Sequence, residues 1–182
     1  MKKISTLFKK DPNDLGRVID ELNPENKWVL TNSIATRKFD GTACAIIDGE
    51  LYKRYDAKHG KKVPIGAIPC QEPDEITGHH PHWVECQRGD NSSKYHFEAF
   101  DRLSYKENGT YELCGEKIQG NPEKLTGHSL IKHGAFKLGL PGYSFEELKN
   151  FLKTHDLEGI VFYHLTDGRM CKLRKTDFGY KR

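Results

Sequence analysis

Thr42-Ala43-Cys44-Ala45-Ile46-Ile47-Asp48-Gly49-Glu50-Leu51-Tyr52-Lys53-Arg54-Tyr55 is the stretch that decides the fold class. Asp48-Gly49 suits the two positive-φ centres of a type I′ turn, so 42–47 and 50–55 read as an antiparallel hairpin. The signal recurs twice: Asn108-Gly109 lies between 103–107 and 110–114, and Asp167-Gly168 between 159–164 and 169–173. Two helices are expected beside the hairpins. Leu15, Val18, Ile19 and Leu22 fall at i, i+3, i+4 and i+7, with Asp11 as cap and Pro12 at the first helical position. Ser144 and Glu147 make a capping box, with Phe145, Leu148, Phe151 and Leu152 facing inward. Residues 56–93 hold four of the eight prolines and follow neither period, so they read as loop-rich. Antiparallel hairpins with segregated helices predict an α+β fold, antiparallel β-sheets with flanking helices.

At ~100–200 residues per domain, 182 residues predict a single domain, 1–182. No apolar run approaches the ~18 residues of a membrane span. The start, Met1-Lys2-Lys3-Ile4-Ser5-Thr6-Leu7-Phe8-Lys9-Lys10, is basic but lacks a signal peptide's apolar stretch. Cysteines 44, 70, 86, 114 and 171 are odd in number and scattered, which argues against a disulfide framework. A soluble, cytoplasmic, monomeric protein is expected. The net charge of +3 is too small to imply a polyanionic partner, but residues 53–62 and 172–182 each carry five positive charges against one Asp. Around a phosphate-handling site, two such stretches would be an electrostatic footprint for nucleic acid.

Chemistry-bearing residues stand at the hairpin ends. Lys38-Phe39-Asp40-Gly41 leads into the first hairpin and Arg54 closes it. Glu112-Leu113-Cys114-Gly115 closes the second. Glu158-Gly159 opens the third, and Lys172-Leu173-Arg174 ends it. Each alone is an ordinary turn with charges. Together, in this order, they resemble the covalent nucleotidyltransferases, the polynucleotide ligases and RNA capping enzymes, over roughly residues 30–176. Lys38-x-Asp40-Gly41 looks like motif I, Arg54 like motif Ia, Glu112 like motif III, Glu158-Gly159 like motif IV and Lys172-x-Arg174 like motif V. Thr36 to Thr42, and Glu112-Leu113-x-Gly115 with Gly120-Asn121-Pro122, look most like small ATP-dependent 5′–3′ RNA ligases of the vertebrate type and their phage and bacterial relatives. The segments 77–83 and 128–134 are similar to that group as well.

The resemblance implies a nucleotidyltransferase (ligase catalytic domain) fold without an OB-fold domain. It implies an enzyme that joins RNA 5′-phosphate and 3′-hydroxyl ends, with ATP and Mg²⁺ or Mn²⁺, through lysyl-AMP and an AMP-capped RNA. Its cytoplasm would be the host's if the chain is phage-encoded. Lys38 would be the nucleophile. A free lysine titrates near ~10.4, so the neutral amine costs about 4–5 kcal/mol at pH 7. Neighbouring cations and a metal lower that cost, and Arg37, Arg54, Lys172 and Arg174 are the candidates. Asp40, Glu112 and Glu158 would hold the metal through oxygens and waters, with Glu112 alternatively on the ribose. Lys172 and Arg174 would neutralise the α-phosphate. Thr36, Arg37, Phe136 and Ile160 complete the expected nucleotide site, the last two as adenine contacts.

Three features depart from the family pattern. Arg37 stands where an acidic residue commonly precedes the nucleophile, Arg174 replaces a lysine in motif V, and the chain ends shortly after motif V. Grip on nucleic acid is therefore expected from the catalytic domain itself. Glu98, in His96-Phe97-Glu98-Ala99-Phe100 on an expected strand, competes with Glu112, which its Leu-x-Gly context favours. Cys70, His79, His80, His82 and Cys86 are conceivable zinc ligands, but their spacing fits no familiar finger. Trp28 and Trp83 read as core or groove-wall aromatics. The alternatives are a DNA ligase, a GTP-using capping-type enzyme, and a non-enzymatic zinc-stabilised RNA-binding module.

Overall fold

The structure is a computed structural model that describes residues 4–58, 61–74 and 78–182. Met1–Lys3 of the basic start, His59 and Gly60 of the 53–62 stretch, and Thr77 of the 77–83 segment lie outside the described residues. In chain order the elements are β1 (Ser5–Thr6), β2 (Phe8–Asp11), β3 (Asp14–Leu22), β4 (Ser33–Lys38), β5 (Thr42–Ile47), β6 (Glu50–Ala57), β7 (Ile68–Pro69), β8 (His80–Glu85), α1 (Lys94–Asp101), β9 (Gly109–Gly115), β10 (His128–Lys132), α2 (Phe145–Thr154), β11 (Gly159–His164) and β12 (Met170–Arg174). Short 3-10 turns occupy Pro24–Leu30, Asn91–Ser93 and Lys175–Phe178. The fold is α+β, mostly antiparallel, with few helices.

The chain divides into two compact units: a terminal unit, Ile4–Phe39 with Gly134–Arg182, and a central unit, Asp40–His133. In the terminal unit a four-stranded sheet runs in the order β1-β12-β11-β4 beside the β2–β3 hairpin. Alternation turns Ile160, Phe162, Cys171 and Leu173 into one core with Leu148 and Leu152 of α2. Each such leucine is worth about 1.5–3 kcal/mol of burial. The α2 capping box forms as expected, Ser144 and Glu147 each satisfying the other's backbone N–H.

In the central unit the sheet order is β10-β9-β5-β6-β8-β7. Cys44, Ile46, Leu51, Leu113 and Leu130 bury one face against Ala99 and Phe100 of α1. The β5–β6 turn has positive φ at Asp48 (51°) and Gly49 (84°), the type I′ geometry that the sequence demands. The 159–173 hairpin forms too, β11 pairing antiparallel with β12.

Four expectations are corrected. The apolar residues 15–22 form strand β3 rather than a helix. Asp11 accepts the N–H of Asn13 and Asp14 that of Gly16, so these aspartates close turns instead of capping a helix. Val18 and Leu22 fit a two-residue period as well as a helical one; they pair with Lys10 and Phe8, while Leu15 is 74% exposed. Residues 103–107 are not a strand, because both edges of β9 are taken, by β5 and β10. Residues 56–93 contain β8, which pairs with β6 along its whole length despite Pro81. Glu98 lies on helix α1, led in by Asp90, whose carboxylate accepts the Ser92 N–H.

Candidate active site

In the terminal unit, β4, β11 and β12 lie side by side, and their register sorts the candidate residues by face. Lys38 pairs with Gly159, which pairs with Arg174; Thr36 pairs with Val161, which pairs with Lys172. Directly paired residues share a face, so Lys38, Lys172 and Arg174 stand together on the side away from the core. Lys38 Nζ donates to Glu158 Oε2 at 2.5 Å, both side chains mostly shielded from solvent. Gly159 makes this close packing possible: a Cβ there would lie 2.4 Å from the Leu173 carbonyl oxygen and 2.9 Å from the Arg174 Cα.

Burial, then Arg174 and Lys38 beside it, pull the Lys172 ammonium down to about 8, against opposing pulls from Asp177 and Glu158. Arg174 is held rigidly. Its Nη2 donates to Asp177 Oδ1 at 2.8 Å and its backbone N–H to Asp177 Oδ2 at 2.7 Å, while Lys10 Nζ reaches Oδ1 at 2.8 Å. Asp177 has no solvent exposure. Burial alone would raise its titration, but the bonds from Arg174 and Lys10 outweigh that and hold the carboxyl below its usual range.

Two nucleotide-site expectations change with the register. Ile160 is fully buried in the core, on the face opposite Lys172, and Val161 is the strand residue on the Lys172 face. Arg37 pairs with Ile160, hence faces away from Lys38; its guanidinium donates to the Asp156 carbonyl at 3.3 Å and lies 5.0 Å from the Phe39 ring centre. Thr36 is buried, its hydroxyl donating to the Val161 carbonyl at 3.0 Å. Phe136 is 55% exposed and meets Phe39 edge to face at 5.2 Å.

In the central unit, Glu112 and Arg54 lie on the sheet face opposite α1. Glu112 pairs with Ala43 and Arg54 with Trp83, the strand positions alternating with the core residues Cys44 and Leu51. Glu112 Oε1 accepts the Gly41 N–H at 3.2 Å, and Oε2 contacts His133 Nε2 at 2.8 Å. His133 Nδ1 lies 2.9 Å from the Thr110 hydroxyl, so both ring nitrogens have polar partners. Asp40 offers its backbone N–H to Glu123 Oε1 at 2.9 Å. Gly41 is fixed by close approach, since a Cβ would fall 2.2 Å from the Leu113 carbonyl oxygen. Glu98, the rival, pairs instead with His128 and Arg102.

The basic stretches are less uniform than their composition. Lys53 turns to the α1 side and is held by Asp90, Ser92 and Ser93. Lys175 is buried, donating to the His155 carbonyl. Among the described residues, no three His, Cys, Asp or Glu are gathered as ligands to one metal, the Cys70–His79–His80–His82–Cys86 set included. His79 instead pairs with Asp56, and His82 Nδ1 meets the His80 carbonyl. Trp28 meets His164 edge to face, and Trp83 is buried.

Sequence reasoning missed Asp177, His133 and Glu123. Asp177 had a signal: an acid three residues after Arg174, at the start of a short helical turn. No family model matches the chain. The chain is similar to RNA ligase 1 of Mus musculus, 26% identical over 222 aligned positions that span 81% of this chain and 67% of that protein. It is similar also to RNA ligase 1 of Rattus norvegicus, 25% identical over 81% of this chain and 68% of the other. The chain is thus a distant relative of these two proteins over most of its length.

Proposed function

We propose that this protein is an ATP-dependent RNA ligase with a nucleotidyltransferase fold. The observation that carries it is Lys38, presented on a strand, paired with Glu158 and sharing a sheet face with Lys172 and Arg174. The distant likeness to two proteins named RNA ligase 1 supports the same class.

The amine of Lys38 attacks the α-phosphorus of ATP. A P–N bond forms, the bond to the β-phosphate's bridging oxygen breaks, pyrophosphate leaves, and the amine proton passes to solvent. Lys172 and Arg174 neutralise charge on the phosphate as the transition state forms. Asp177 keeps Arg174 in one orientation, so little reorganisation is needed when that charge appears. An RNA 5′-phosphate oxygen next displaces Lys38 from phosphorus, giving an AMP-capped strand. A 3′-hydroxyl then attacks the 5′-phosphorus, its proton departs to solvent, and AMP leaves as the strands join. Glu112, steadied by His133 and the Gly41 N–H, would hold a ribose hydroxyl. Phe136, more than half exposed, would stack on adenine, and Arg54 would meet a phosphate.

Mg²⁺ takes oxygen ligands and binds through one or two carboxylates with waters and phosphates, so Glu158, Glu112 and Asp40 suit it in kind. Bound at Glu158, it would withdraw the counter-ion of Lys38 and screen phosphate charge. Glu158→Gln is expected to fold normally yet to need much more Mg²⁺ or Mn²⁺ to form lysyl-AMP, measured by adduct yield against metal concentration. Unchanged metal dependence would leave the role to Asp40 and Glu112.

Joining assays with 5′-phosphorylated RNA and DNA strands, alone and splinted, with ATP or GTP, test the function. RNA joining with ATP is expected. Preference for DNA or GTP would assign the neighbouring activities instead, and RNA binding with no joining in any arm would favour a binding module.

A further inference from the structure

Residues 61–68 carry an apolar ridge on a basic loop. Val63, Ile65 and Ile68 are 45%, 106% and 40% exposed. Pro64 and Ala67 close a turn, the Ala67 N–H meeting the Pro64 carbonyl at 3.2 Å, with Gly66 at φ 78°. That is type II geometry, which sets Ile65 at the corner with its side chain wholly in water. Scattered exposed apolar residues are ordinary; three on one short loop, braced by Pro64 and Pro69, form a patch that asks for a partner.

The surroundings select the partner. Lys58, Lys61 and Lys62 are all exposed beside the ridge, and the Tyr55 hydroxyl fastens the loop through the Lys62 carbonyl. The ridge is anchored to the sheet: Ile68 pairs with the buried Trp83, which pairs with Arg54, one row on the face that carries Glu112. An added protein strand fits poorly, because the edge strand β7 is two residues long and Pro69 has no N–H to donate. A strand of RNA offers what the loop lacks, phosphates for the three lysines and flat apolar base faces for the ridge.

We infer that the 61–68 loop with Lys58 is an RNA-strand clamp: Lys58, Lys61 and Lys62 hold successive phosphates while Val63, Ile65 and Ile68 pack against unpaired bases. The clamp rests on the RNA-joining reading and names where the strand runs. It also accounts for how one small chain grips its RNA without using Lys53 or Lys175, both of which are turned to internal partners.

Fluorescence anisotropy of the full chain with a single-stranded 5′-phosphorylated RNA, across salt, tests it. Each phosphate contact contributes a log–log slope of about −0.7, so replacing Lys58, Lys61 and Lys62 together by glutamine is expected to flatten the slope by about 2. Ile65→Ala should weaken binding roughly tenfold on a normal strand and change nothing on the same strand made abasic beneath the footprint. The abasic arm separates base packing from any general disturbance, and circular dichroism confirms that the variants fold. Wild-type slopes in the lysine variant, or equal losses for Ile65→Ala on both strands, would overturn the clamp. RNA affinity untouched by either change would give the ridge to a protein partner instead. Lysyl-AMP formation by the wild type reports separately on the ligase reading, so the two can fail independently.

Discussion

Lys38→Ala is expected to abolish the AMP adduct and all joining of 5′-phosphorylated strands, with the fold intact. Lys38 ends β4, paired with Gly159, and its side chain lies on the face away from the core, so truncation leaves no cavity in the apolar packing. It does leave Glu158 without its nearest cation. Lys38→Arg separates the two roles: a guanidinium keeps the ion pair but is a poor nucleophile, so it too should give no adduct. Intact mass after incubation with ATP and Mg²⁺ reads the adduct, and joining of pre-made AMP-capped RNA reads the last step. A residual adduct of wild-type yield in Lys38→Ala would remove Lys38 from the chemistry. Normal joining of AMP-capped RNA by the same variant would support the assignment, because that step no longer requires the lysine–phosphorus bond.

Asp177→Asn is expected to cost about 3–5 kcal/mol of stability, the usual consequence of breaking a buried ion pair from one side. Asp177 is fully buried and takes bonds from the Arg174 side chain, the Arg174 backbone and Lys10. The amide would leave two cations facing each other with no carboxylate between them. The pH dependence follows from the depressed titration of the folded carboxyl. Its contribution is present above the ordinary carboxylate range and is lost as pH falls through the lower folded value, so acid should destabilise the wild type more than Asp177→Asn. Urea unfolding at neutral and acid pH measures both. Equal stability of the two proteins at neutral pH would make the Asp177 cluster energetically idle.

Much of the fold was legible because short-range rules govern it. Asp48 and Gly49 both take positive φ, Gly168 does so alone in its turn, and both hairpins form where those pairs stand. The Ser144–Glu147 box works entirely within four residues, and α2 starts there. What failed depended on partners far along the chain. Residues 15–22 matched a helical period, but β2 was available to Val18 and Leu22 and the β3 strand resulted. Asn108-Gly109 suggested a third local hairpin, yet β9 takes β5 and β10 as neighbours, with paired residues 63–71 and 13–21 apart in sequence. Which side of a strand a residue faces is a parity, and parity requires one buried anchor. With Ile160 known to be buried, Arg37 follows to the core side and Lys38 to the other. The sequence motifs set Arg37 and Lys38 side by side in one site, whereas the register turns them apart. Asp177 stayed hidden because a buried aspartate looks like any surface one until its two cations, Lys10 and Arg174, are brought to it.

Intact mass of the purified full chain after incubation with ATP and Mg²⁺ tests the central claim most directly. The predicted result is a gain of one adenylyl group on Lys38, released when 5′-phosphorylated RNA is added and recovered as an AMP-capped strand. No adduct under any ATP or metal concentration, or an adduct on a different residue, would contradict it.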